Sequence, residues 1–65
     1  MQFDRNMLPA LGVIWRGFAN ELEAKRFARW AENETRHDQW PCEAYVWRED
    51  DRPADERWQV KVVNW

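Results

Sequence analysis

A single cysteine, Cys42, rules out an intramolecular disulfide, so this 65-residue chain must rely on a core to stay folded. A lone thiol also suits a reducing compartment, most simply a cytoplasm. Histidine is equally scarce: with only His37 and Cys42, the chain lacks the four closely spaced ligands that zinc takes. Those two residues would make a nucleophile pair only if their side chains converged. His37 lies in a polar segment, whereas Cys42 reads as an inward strand position, where a free cysteine behaves as a small hydrophobe. The only two glycines, Gly12 and Gly17, bracket apolar residues and form no phosphate-cradling loop. Glu49, Asp50 and Asp51 would attract a hard cation, but their spacing matches no calcium loop. A deep pocket is also out of keeping with a chain this short. The expectation is a protein that is not an enzyme and needs no cofactor or metal.

Long apolar runs are missing too. Nothing approaches the ~20 residues of a membrane span. Asp4, Arg5, Pro9 and Arg16 interrupt the first twenty residues, which therefore read as no secretory signal.

Aromatic side chains, by contrast, are plentiful. A chain this short buries only about 60% of the surface its unfolded form exposes. Six tryptophans, three phenylalanines and one tyrosine offset that handicap, because each ring can bury roughly 150–250 Å². Such a composition argues for a folded domain despite the 34% of charged residues. Residues 1–65 are expected to form one α+β domain, with residues 1–10 as an arm anchored by Phe3, Met7 and Leu8.

Leu11–Phe18 is β-branched and aromatic and reads as a strand. Its alternation sets Leu11, Val13 and Trp15 on one face, with Ile14, Arg16 and Phe18 on the other. Both faces are partly apolar. Asn20 followed by Glu23 resembles a reciprocal helix cap, and Ala24, Phe27, Ala28 and Ala31 then make one apolar stripe. Glu32 and Arg36 have the spacing of a helical ion pair. Pro41 holds Trp40 extended, so the helix should end by about residue 37. Cys42–Arg48 and Trp58–Trp65 alternate as two further strands. The segment Glu49–Glu56 is charged, contains Pro53, and joins them as a hairpin loop.

The resulting β-α-β-β order has a natural assembly: a three-stranded antiparallel or mixed sheet with one helix on one face, half of a ferredoxin-like fold. A crossover leaves a gap between the first two strands, which the third fills antiparallel to both. The helix stripe would cover Val13, Ala44, Val46, Val60 and Val62. The opposite face would present Ile14, Arg16, Tyr45, Trp47, Gln59, Lys61, Val63 and Trp65. The arm or a second copy of the chain would cover such an apolar surface, or a ligand would use it. In element order and aromatic sheet face the chain resembles part of the sporulation-related domains that bind peptidoglycan glycan strands, and part of an RNA-recognition motif. The resemblance covers topology and carries no residues across. It implies a sheet that stacks sugars or unpaired bases on Tyr45, Trp47 and Trp65 beside Lys61.

Charge is unevenly spread along the chain. Of its twelve carboxylates, all but Asp4, Glu21 and Glu23 lie between residues 32 and 56, against Arg36, Arg48 and Arg52. The net charge of −2 thus hides a dipolar molecule. Solvation of a loop is the plain explanation. The functional one is a negative patch of Asp38, Glu43, Glu49, Asp50, Asp51, Asp55 and Glu56 that docks on a basic partner protein, with Tyr45, Trp47 and Trp65 as aromatic anchors. That combination fits a small cytoplasmic inhibitor acting by surface occlusion, of the size and charge class of phage and mobile-element inhibitors such as anti-CRISPR proteins. The absence of a basic excess argues against direct nucleic-acid binding. The alternatives are a sheet-face binder of single-stranded nucleic acid or glycan, and a structural homodimer.

Overall fold

The cap and apolar stripe of the middle segment produce a helix, α1, over Glu21–Glu34. It belongs to a computed structural model that describes residues 3–8 and 11–64. Asn20 is extended and accepts a hydrogen bond from the Glu23 backbone N–H at 2.9 Å, satisfying one of the donors a helix start leaves free. Only this half of the expected reciprocal cap forms among the described residues. Three strands complete the domain: β1 (Gly12–Phe18), β2 (Glu43–Arg48) and β3 (Trp58–Asn64). Their order is β1-β3-β2, with β3 antiparallel to both neighbours. The anticipated assembly is the observed one.

Helix and sheet enclose a core of Phe18, Ala24, Phe27, Ala28, Ala31, Cys42, Val60 and Val62. Three alanines along the stripe leave room for the one large ring, Phe27, which is fully buried. α1 leans towards β2 and β3, so it leaves the inner side of β1 only partly covered.

Two expectations need correcting at this point. β1 has the opposite facing: Ile14, Arg16 and Phe18 look towards the helix, and Val13 and Trp15 lie on the far side. Phe18 decides the matter by packing on Phe27 with ring centroids 5.4 Å apart. Arg16 is carried inward with it, where its guanidinium lies 5.9 Å from the Phe27 centroid and donates to the Met7 carbonyl. The arm, too, covers the helix side and not the open face. Phe3 stacks edge-on against Phe27 at 5.3 Å and also meets Trp30, while Met7 and Leu8 pack against the core. A single turn of 3-10 helix at Arg5–Met7 shapes this arm. Arg5 ties it down, donating to the Glu34 carbonyl at 2.9 Å and pairing with Asp38. The arm thus fills the wedge that α1 leaves beside β1.

Beyond α1, the buried Thr35 is a clasp. Its hydroxyl donates to the Ala31 carbonyl at 2.8 Å and accepts from the Cys42 N–H at 2.9 Å. One side chain therefore ends the helix and starts the approach to β2. Glu32 does not form the expected pair with Arg36; it accepts from the Ala44 N–H at 3.2 Å. No helix among the described residues is long and apolar enough to cross a membrane.

Thr35 is 1% exposed, so replacing its hydroxyl with a methyl strands the buried Cys42 N–H, whereas the Ala31 carbonyl keeps the Thr35 backbone N–H. Thr35→Val should cost about 1–3 kcal/mol. A melting temperature within experimental error of the parent's would show that the clasp carries no such stability.

Candidate docking surface on the open sheet face

The face that α1 leaves bare is built from rows set by strand register. Trp15, Lys61 and Tyr45 lie side by side across the sheet, with Gly17, Gln59 and Trp47 in the next row and Val13, Val63 and Glu43 beyond. Trp15 is 58% exposed and Tyr45 51%. The Trp15 and Trp47 rings meet edge-to-face with centroids 5.5 Å apart, the arrangement that ring quadrupoles favour. Lys61 holds its ammonium 5.1 Å from the Trp15 centroid, a cation–π contact. The expected Tyr45, Trp47, Lys61, Gln59 and Val63 are all present here. Trp15 takes the place assigned to Ile14 and Arg16, and Trp65 lies outside the described residues.

The polar tips of the aromatics are fixed by carboxylates. Tyr45 donates its hydroxyl to Glu43 Oε2 at 2.6 Å. That hydrogen bond and the carboxylate charge raise the phenol above its ordinary value of 10.0. Trp47 donates its indole N–H to Glu49 Oε1 at 2.8 Å, and Arg52 Nε donates to the other oxygen at 3.0 Å. The indole first, then the guanidinium, hold Glu49 below the ordinary glutamate value.

Acidic residues do not gather into one patch. Asp38 and Glu43 sit where β2 begins, together with Glu32 and Glu34. Glu49, Asp50, Asp51, Asp55 and Glu56 sit at the hairpin, the other end of the same strand. The five steps from Glu43 to Arg48 separate these ends by about 17 Å. Several of these groups already have partners: Asp38 pairs with Arg5, and Asp50 accepts from Arg48 at 2.6 Å. Such exposed pairs are worth ~0–1 kcal/mol each, and at the hairpin Arg48, Arg52 and Arg57 offset three of the five carboxylates, leaving a net charge of −2 there. Among the described residues, the carboxylates of Asp51, Asp55 and Glu56 have neither an ion pair nor a hydrogen bond.

A 3-10 turn at Ala54–Glu56 brings Glu56 over Gly17 on the open face, with Asp55 beside it at a hollow next to Trp15. Gly17 makes this possible: a β-carbon there would lie 2.8 Å from Glu56 Cβ and 3.1 Å from its Cα. Gln59 fixes the turn by donating to the Glu56 carbonyl. Beside Trp15 the turn borders a shallow hollow of about 480 Å³ that also touches Glu23 and Phe18.

The other candidate chemistry is dispersed. Cys42 is 4% exposed and faces the core, whereas His37 is exposed on the segment after α1. Among the described residues, no three His, Cys, Asp or Glu side chains converge as metal ligands. Comparison with known proteins gives no matching family model, no matching curated protein and no matching solved structure.

Because the folded-state pKa of Glu49 is depressed, its contribution to stability is fully present above the unfolded value and is lost as pH falls through the folded one. Trp47 emission should therefore report an acid titration with a midpoint below the ordinary glutamate value, and Glu49→Gln should remove it. A midpoint at or above that value would contradict the Trp47–Glu49–Arg52 arrangement.

Proposed function

We propose that this chain is a non-enzymatic protein-binding domain that occludes a basic surface of its partner with its open sheet face. One observation carries the reading: Trp15, Trp47 and Tyr45 share a bare face whose two ends are acidic. Large rings that are already positioned lose little freedom on binding and bury substantial area, as interface anchors do. Carboxylates at both ends raise the rate of encounter with a basic partner. Glu43 and Glu49 also hold the Tyr45 and Trp47 rings in place, so charge and anchor are linked. Inhibition by occlusion suits a small rigid surface with this composition, and an inhibitor of the phage or mobile-element type remains the finer form of the proposal.

The alternative of a single-stranded nucleic acid on the same face is weakened by the distribution of charge. A phosphate backbone crossing the sheet would run from one carboxylate cluster to the other. The one lysine on its path already engages Trp15, whereas nucleic-acid binders track the backbone with a basic groove.

Immobilised protein should capture a basic protein from native host lysate at low salt and release it at high salt, because screening weakens the charge contribution. Trp15→Ala combined with Trp47→Ala should weaken capture by about tenfold or more. Reversing Asp51, Asp55 and Glu56 to lysine should slow association. Capture that ignores salt and both sets of substitutions, or that yields oligonucleotide alone, would overturn the proposal.

A further inference from the structure

The sheet ends on both sides in an unpaired strand, and the two edges are not equivalent. On the β1 side, the Ala54–Glu56 turn packs over Gly17 on the open face. Among the described residues β2 has no turn packed on it in this way, and at its outer edge the Glu32 carboxylate takes the Ala44 N–H. Glu49 continues the ladder by donating its N–H to the Arg57 carbonyl at 2.8 Å. Hydrogen-bonding direction alternates along a strand, so Glu43, Tyr45 and Trp47 turn their backbone groups towards β3. Ala44, Val46 and Arg48 turn theirs outward. The Ala44 N–H confirms this direction, since it is taken by Glu32 from the helix.

We infer that the outer edge of β2 accepts an extended basic segment of the partner protein as a fourth, antiparallel strand. This rests on reading the open face as a docking surface for a basic protein, and it specifies how that partner is held. Charge complementarity along the edge identifies this occupant. Glu43 and Glu49 stand on the open face at the two ends of the strand, Glu32 stands on the helix side beside Ala44, and the cations at the hairpin end are taken internally, Arg48 by Asp50 and Arg52 by Glu49. A second copy of this chain paired over the full length of the strand is a poor occupant. Antiparallel pairing centred on Val46 would set Glu43 of each copy opposite Glu49 of the other, and like charges directly opposite destabilise a sheet. The same carboxylates select a strand with cationic side chains spaced as Glu43 and Glu49 are. Between them, the incoming side chains on that face would lie beside Tyr45 and Trp47. Those on the helix side would meet Ala44 and Val46, so small apolar residues fit there. Main-chain hydrogen bonds to Ala44, Val46 and Arg48 then supply affinity, and the flanking pairs supply specificity. Glu32 gives up the Ala44 N–H to the incoming carbonyl.

A short synthetic peptide that alternates threonine and valine, with a lysine near each end on the threonine face, tests this on the intact protein. The peptide should bind and change Trp47 emission. Valine amides would face β2 and threonine amides would face solvent. N-methylation of the valines should therefore weaken binding by about tenfold or more, and N-methylation of the threonines should leave it unchanged. Arg48→Pro, which removes an outward N–H from an edge strand and tolerates proline there, should reproduce the loss with an unaltered circular dichroism spectrum. No binding of the unmethylated peptide, or equal binding of the two methylated forms, would overturn the inference. Lysate capture that still depends on Trp15 and on salt would then leave the open-face reading standing. Loss of both would remove the two together.

Discussion

A helix of fourteen residues cannot shield a whole face of three strands, and the position of Phe27 follows from that shortfall. Its ring meets Phe3 of the arm, Phe18 of β1 and Trp30 of its own helix, and the Arg16 guanidinium lies over it. Among the described residues, arm, strand and helix have no other ring in common. Because the arm is needed on this side, nothing remains within the described residues to cover the other. The bare aromatic face is thus a consequence of how the core is completed. A chain this short commits its arm to the core and leaves tryptophans exposed.

The exposed rings are nevertheless ordered. Trp47 is held through its indole N–H and Tyr45 through its hydroxyl, each by a glutamate two residues away, Glu49 just past the end of β2 and Glu43 at its start. Spacing by two keeps partner and ring on one face of a strand, so the geometry needs no tertiary contact. The edge-to-face contact of Trp15 with Trp47 spans the width of β3 and joins the outer strands. Rigid placement lowers the entropy lost on binding. The carboxylates that provide it also give the surface its sign.

Much of this arrangement was legible in the sequence. The helix cap at Asn20, the alanine stripe, the inward Cys42 and the alternation of the last two strands each follow from spacing alone, and they fix the β-α-β-β order. β1 was harder because Val13 and Trp15 compete with Ile14 and Phe18 on nearly equal terms. Its facing depends on a distant partner, Phe27, and on Gly17, whose missing side chain admits the hairpin turn. Position 17 was the available signal, since a glycine inside a strand often marks a close backbone approach. The Thr35 clasp had no local signature, because its acceptor role depends on Cys42 returning to the helix end. The acidic run misled for a simpler reason. Adjacency in sequence became opposite ends of one strand, and Asp38 and Glu43 parted from the hairpin.

The strand order also has a temporal side. β1 and β2 share no hydrogen bonds with each other, and every ladder in the sheet passes through β3, the last of the three to leave the ribosome. Until then the nascent chain has a capped helix and two strands with nothing to pair with. The sheet must therefore wait for Trp58–Asn64, and until then the tryptophans of β1 and β2 have no ladder to hold them.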